Sequence, residues 1–200
     1  MELQTVIFIG RSGSGKGTQL GFLKKFLSEK TPETPILSVE TGKYFREYIE
    51  KEGYTWERAR AVNSAGARQP EFLAVWVWAS VFIEKLRGNE HLMFDGTPRS
   101  LNEARMLHTI FPFYGRNKPT VVFLNTSREW VEGRLKERGR SDDMLPGVID
   151  RKLSWYEKDV VPAVEFYRSS PEYRFLDING EQTPEAVHRD IFKGLGFQEE

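Results

Sequence analysis

The stretch Val6-Ile7-Phe8-Ile9-Gly10-Arg11-Ser12-Gly13-Ser14-Gly15-Lys16-Gly17-Thr18-Gln19 decides the fold. Four apolar residues in a row, with no polar alternation, read as a strand covered on both faces. They run straight into a glycine-rich turn, and a helical pattern starts as the turn ends. Gly10 to Lys16 spells G-x-x-x-x-G-K in the strand-to-helix setting that a phosphate-binding loop requires. Glycines let successive backbone N–H groups turn inward around an anion, and the helix N-terminus adds partial positive charge. Lys16 supplies a compact, mobile cation for the outer phosphates. The competing reading is a plain glycine turn, and a lysine in this register argues against it. A dinucleotide fingerprint built on Gly13-Ser14-Gly15 fails because Thr18 stands where glycine is needed. No G-x-S-x-G surrounds Ser12 or Ser14, so a nucleophile elbow is unsupported.

Beyond this stretch the chain alternates short apolar runs with longer amphipathic ones. Strands are predicted at 6–9, 36–39, 91–94, 120–124 and 175–178. Helices are predicted at 16–30, 42–52, 70–87, 100–112, 127–138, 147–169 and 184–195. Such alternation predicts an α/β fold: a parallel five-stranded sheet between two helical layers, a three-layer phosphate-loop sandwich. Right-handed crossovers then bring the strand C-termini, and with them the ligand site, to one edge. Residues 52–70 are polar and contain glycine, and 136–146 are charged; both read as excursions from a single domain spanning 1–200.

Composition narrows the chemistry. The 29 Lys+Arg balance 29 Asp+Glu, so no overall field draws the chain to nucleic acid or to a membrane surface. The absence of cysteine excludes disulfide scaffolds, thiolate zinc, iron–sulfur ligation and thiol nucleophiles. The three histidines, His91, His108 and His188, are scattered. The most apolar run, 72–83, is flanked by Glu71 and Glu84 and falls well short of the roughly 20 residues a membrane span needs. With no basic, apolar leader at the amino terminus, a cytoplasmic monomer is expected. Trp76 and Trp78 on that run read as core or interface residues.

Four ordered motifs resemble one family. Gly15-Lys16-Gly17-Thr18-Gln19, with Gly17 where Ser or Thr usually follows the lysine, is similar to the nucleoside monophosphate kinases, adenylate kinase of the short-lid type in particular. Thr41-Gly42 followed by Arg46 matches the segment beside the acceptor nucleotide. Asp95-Gly96-Thr97-Pro98-Arg99 resembles the Asp-Gly-Phe-Pro-Arg signature. The segment from Arg134 through Arg138, Gly139, Arg140, Ser141, Asp142 and Asp143 resembles the lid, and Arg151 matches a later arginine. Alone, Thr41 would be a helix cap, Asp95-Gly96 a turn, and the charge run a solvated face. Yet 17 of the 29 basic residues are arginine, every proposed phosphate-binding lid cation included, and arginine suits planar phosphate recognition.

The resemblance implies reversible phosphoryl transfer, ATP + AMP to 2 ADP. It implies ATP contacts at Gly13, Ser14, Gly15, Lys16, Gly17, Thr18, Arg134 (stacked on the donor adenine) and the Gln182 backbone. Acceptor contacts fall on Thr41, Arg46, Ala67, Arg68, Gln69, Gly96, Thr97, Pro98, Arg99, Glu103, Arg140 and Arg151. Lys16, Arg99, Arg138, Arg140 and Arg151 surround the transferring group, and Asp95 holds magnesium through water. Insertions at about 40–70 (acceptor-binding) and 135–145 (lid) would close over the core, and no zinc is expected. Such chemistry needs no general base, since a phosphate oxygen with a second pKa near 6 is already an ionised nucleophile.

The sequence departs from the family's pattern at four places. Ser12 replaces a loop proline, Thr97 replaces the signature's aromatic residue, Glu103 replaces a glutamine at the adenine edge, and the lid is short, which predicts some phosphoryl loss to water. An ionised Glu103 only accepts hydrogen bonds. It therefore suits the N1–H and N2–H of guanine, and GMP, UMP or CMP stay open as acceptors. Three rivals carry less. A GTPase reading of Asn117-Lys118-Pro119-Thr120 lacks the final Asp and precedes a strand. A kinase acting on a sugar-type hydroxyl needs a base. A non-catalytic nucleotide-binding module does not account for the retained lysine and arginines.

Overall fold

The structure, a computed structural model, describes residues 1–139 and 146–197. Its centre is β1 (Thr5–Gly10), flanked by β3 (His91–Asp95) and β4 (Thr120–Asn125), with β2 (Ile36–Glu40) and β5 (Arg174–Asn179) at the edges. The order is β2-β3-β1-β4-β5, and every pairing is parallel. Each predicted strand is present and extends by one or two residues.

Side chains of β1 alternate between two cores, as the period of two requires. Ile7 and Ile9 join Leu92, Phe94, Val121 and Phe123 under Trp78, Phe82, Leu107, Phe111 and Tyr167. These last belong to α4 (Glu71–Lys85), α5 (Leu101–Phe113) and α8 (Val161–Ser169). Val6 and Phe8 join Met93, Val122 and Leu124 on the other face, beneath α1 (Lys16–Lys30) and α9 (Pro184–Leu195). Each such side chain fully removed from water is worth about 1.5–3 kcal/mol, so the sheet is the stable body on which the site is mounted.

Two excursions leave it. Between β2 and α4 lie α2 (Thr41–Tyr48) and α3 (Tyr54–Ser64), packed around Phe45, Ala59, Leu73 and Val77. The helix α3 falls in the stretch expected to be an irregular excursion. Its sequence is charged on most sides and buries only Ala59 outright, so no apolar stripe announces it. Gly53 starts it, and Gln69 Nε2 donates to the Ala59 carbonyl at 2.8 Å. After β4, α6 (Arg128–Arg138) packs on α7 (Val148–Trp155) through Val131, Leu135 and Leu153. The predicted helix 147–169 is interrupted by a π-helical turn, Tyr156–Val160, between α7 and α8. Trp78 is 3% exposed in the core, while Trp76 is 49% exposed and packs against Tyr48 and Trp56.

Candidate active site

The strand C-termini open into a cleft of about 880 Å³. At one end, β1 hands over to the glycine loop. Gly13 and Gly15 take φ of 85° and 95°, a conformation that other residues adopt only with strain. Close approach adds to this: a Cβ on Gly13 would stand 3.0 Å from Leu135 Cγ and 3.2 Å from the Val131 carbonyl, so the loop lies against α6. The helix α1 begins at Lys16 with no side-chain cap, which leaves its first N–H groups to a ligand. Lys16 Nζ donates to the carbonyls of Gly10 (2.9 Å) and Arg11 (2.7 Å) and reaches Ser14 Oγ at 3.5 Å. Gly13, Gly15, Lys16, Gly17 and Thr18 all line the cleft, whereas Ser14 is buried behind it.

Facing the loop across the same cleft are Arg46 from α2 and Arg99 from the turn after β3. A Cβ on Gly42 would lie 3.2 Å from Arg99 Nη2 and 3.4 Å from Arg46 Nη1, so both guanidinium groups converge on the N-terminal turn of α2. Arg99 Nε donates to the Gly96 carbonyl at 2.8 Å, which fixes the fork. Burial holds the Arg99 pKa below its usual value, against the nearby Glu103 and Asp95 carboxylates. Two cations and a helix N-terminus aimed at one spot make an anion site.

Asp95 ends β3 next to Glu40 on β2, and both line the cleft. A Cβ on Gly17 would be 3.7 Å from Asp95 Oδ2, so this carboxylate sits beside the loop. Among the described residues no group of three or more His, Cys, Asp or Glu could hold a metal. One hard carboxylate beside a phosphate cradle fits magnesium, which is ordinarily completed by phosphate oxygens and water.

Other expected residues are arranged differently. The hydroxyls of Thr41 and Thr97 hydrogen-bond to each other, fully buried, and neither lines the cleft. Glu103 is 1% exposed and does not line it either. Its Oε2 accepts from the Arg99 backbone N–H at 3.2 Å, and its Oε1 meets Arg68 Nη1 at 3.4 Å. Burial pushes its pKa up, against the pull of Arg99 and Arg68. Ser100-x-x-Glu103 is a capping-box signature in the sequence. Ser100 Oγ does accept from Glu103 N, and the carboxylate folds back over the helix start, away from the cleft. That signal was legible beside the reading of Glu103 as a base contact. Ala67, Arg68 and Gln69 do line the cleft, as do Gly96 and Pro98. Arg134 lines it too, with its guanidinium 4.5 Å from the Trp130 ring centre. Arg151 is exposed and donates to the Pro146 carbonyl at 3.4 Å. Gln182 Nε2 donates to the Asn179 carbonyl and to Asp190 on the surface. The side chain of Arg138, and Arg140, Ser141, Asp142 and Asp143, lie outside the described residues, as does most of the expected lid at 135–145.

Several participants carried no sequence signal. Arg11, within the loop, donates to the Thr126 carbonyl at 2.6 Å and lies 4.6 Å from the Tyr156 ring centre. It thereby ties the loop to the π-helical turn. Burial pushes the Tyr156 hydroxyl up to about 12. From the same turn, Asp159 reaches Arg68 Nε at 3.3 Å. Trp155 and Val160 complete that wall of the cleft.

A family model described as an AAA domain matches residues 9–146. The chain is 30% identical over 191 residues to adenylate kinase 1 of Nostoc sp., covering 96% of this chain and 98% of that protein. It is 31% identical over 191 residues to the adenylate kinase of Mycobacterium leprae, covering 96% and 98%. Against the adenylate kinase of Thermus thermophilus it is 30% identical over 198 residues, covering 97% and 98%.

Proposed function

The chain belongs to the adenylate kinase family, and on that footing we propose that it transfers the terminal phosphoryl group of magnesium-bound ATP reversibly to AMP, giving two ADP. The observation that carries this reading is the convergence of Arg46 and Arg99 on the start of α2, across one cleft from Lys16 and the uncapped α1. Two anion cradles facing each other hold two phosphate tails head to head. An acceptor phosphate oxygen attacks the terminal phosphorus of ATP. The new P–O bond forms as the bond from that phosphorus to the bridging oxygen of ADP breaks, and no side chain has to take a proton.

Lys16 and the loop amides hold the donor phosphates, while Arg46 and Arg99 orient the acceptor phosphate and neutralise it. Arg134 offers the guanidinium face not covered by Trp130 to the donor adenine. Asp95 would hold magnesium, directly or through water, and the ion would neutralise charge on the bridging and terminal oxygens. Arg138, Arg140 and Arg151 would join as residues 135–145 and 40–70 close over the cleft, with Gln182 at the donor base. Positioning and charge stabilisation supply the catalysis. The enzyme acts on free nucleotides as a cytoplasmic monomer.

The test is a coupled assay with ATP and AMP. It should yield two ADP per ATP consumed, dependent on both substrates and on magnesium. No AMP-dependent ADP formation at any enzyme concentration would overturn the reading.

A further inference from the structure

The cleft that Arg46 and Arg99 line is also lined by Ala67, Arg68, Trp155 and Val160, and Glu103, which accepts from the Arg99 backbone N–H, joins Arg99 to Arg68. If an acceptor phosphate lies on the two arginines, its base reaches this lining. Arg68 sits there in an unusual setting. Each nitrogen of its guanidinium faces a different carboxylate: Nη1 faces Glu103 at 3.4 Å, Nη2 faces Glu71 at 3.2 Å, and Nε faces Asp159 at 3.3 Å. Of the four side chains only Arg68 lines the cleft. Two physical consequences follow. Three carboxylates surround this one guanidinium, so it offers a phosphate less positive potential than an arginine without them would. Each Nη nitrogen has a second N–H beyond the one its carboxylate takes, and Arg68 is the member of the group that lines the cleft, so these are the donors left for a ligand there. A guanidinium has no acceptor to give.

Among base edges, two donors on a planar fork match O6 and N7 of a 6-oxopurine, both of which accept. Adenine presents its N6 amino group, a donor, where O6 would be. That leaves one acceptor for the fork and sets N–H against N–H.

We propose that Arg68, held in place by Glu71, Glu103 and Asp159, reads the acceptor base, and that the site takes 6-oxopurine monophosphates, GMP and IMP, beside AMP. The proposal rests on the kinase reading above. Glu103 is then a positioning residue and makes no contact with the base. IMP keeps both partners of the fork but only one of the two donors, N1–H, that a carboxylate would read. It has O6 and N7 but lacks the 2-amino group that a carboxylate reader would use.

The experiment measures kcat/KM for AMP, GMP and IMP with ATP as donor. It uses the full chain and the variants Arg68→Lys, which keeps the charge and loses the fork, and Asp159→Asn, which loosens the fork at a partly exposed position. GMP and IMP should both reach at least roughly one-tenth of the AMP value in the wild type. Their ratio to AMP should drop about fivefold or more in Arg68→Lys, the low end for one bidentate base contact, and should drop by a smaller factor in Asp159→Asn. GMP or IMP below that tenth, or ratios unmoved in both variants, would overturn the proposal while AMP turnover left the kinase reading standing. If none of the three monophosphates is phosphorylated, both readings fall.

Discussion

The two ends of the cleft are built from different materials. The phosphate loop is mostly backbone: uncapped N–H groups, three glycines at positive φ, and one lysine anchored on carbonyls, all attached to a strand whose Val6, Ile7 and Phe8 are fully buried. The acceptor wall is mostly side chain: Arg68 among Glu71, Glu103 and Asp159, contributed by three separate segments. A backbone site is written in consecutive residues and tolerates little substitution. A side-chain site is assembled across the fold and can change its chemistry one residue at a time. On the proposed function, recognition of phosphate, common to all nucleotides, would sit at the first, and discrimination among acceptor bases at the second.

Lys16→Ala should break the first end most severely. Turnover should fall by about 10²–10³-fold, the loss typical of one preorganised electrostatic group, with the thermal midpoint nearly unchanged. Steady-state kinetics beside a melting curve checks both halves. A fall in stability matching the fall in rate would mean that Lys16 works as a structural plug only.

Gly13→Ala sharpens the contrast. The new methyl group meets Leu135 at 3.0 Å in a strained backbone conformation. Stability should drop by about 1–3 kcal/mol and ATP should bind more weakly, while the ratio among acceptor bases stays put. A denaturant titration and the same kinetics decide it. If the base ratio moves with Gly13, the two ends are not separable.

The smallest effect lies at the opposite end of β3, away from both cradles. His91 is fully buried; its Nδ1 accepts from the Gln4 backbone N–H at 2.8 Å, so the proton sits on Nε2, which faces Thr31 Oγ1 at 3.0 Å. Burial lowers its pKa below 6.5. Above 6.5 the imidazole is neutral in both folded and unfolded chains and its stabilisation is complete. As pH falls below 6.5 the unfolded chain takes up the proton first, so stability declines until the folded pKa is passed. Between pH 8 and 5 the unfolding free energy from urea titrations should fall further in the wild type than in His91→Gln. Parallel curves would show that the ring is not held neutral.

Legibility in the sequence followed the same divide. All five strands, the loop and its lysine could be read because each is a run of consecutive residues with its own periodicity or motif. Arg46, Asp95 and Arg99 could be placed because each sits a short, fixed distance beyond a strand. The spacing of Glu103 from Arg99 does not reveal which way its carboxylate folds, and the structure turns it onto the Arg99 backbone N–H and out of the cleft lining where a base contact was expected. Asp159 and Arg11 carried no local signal at all. Arg68 and Asp159 are 91 positions apart, and a continuous helical pattern conceals the π-helical turn that brings them together. The helix α3 escaped notice because its stability comes from neighbours and owes little to an apolar face of its own.

The amino-acid order alone determined that this chain forms a parallel sheet and where the glycine loop and its lysine leave the central strand. These features arise from local periodicity and from backbone geometry within a single turn. Only the tertiary structure decided that Glu103 turns inward, that Thr97 pairs with Thr41, and that one guanidinium with three carboxylate neighbours lines the cleft. The direction of a polar side chain depends on which partner can offset its loss of water, and those partners are brought together only by packing.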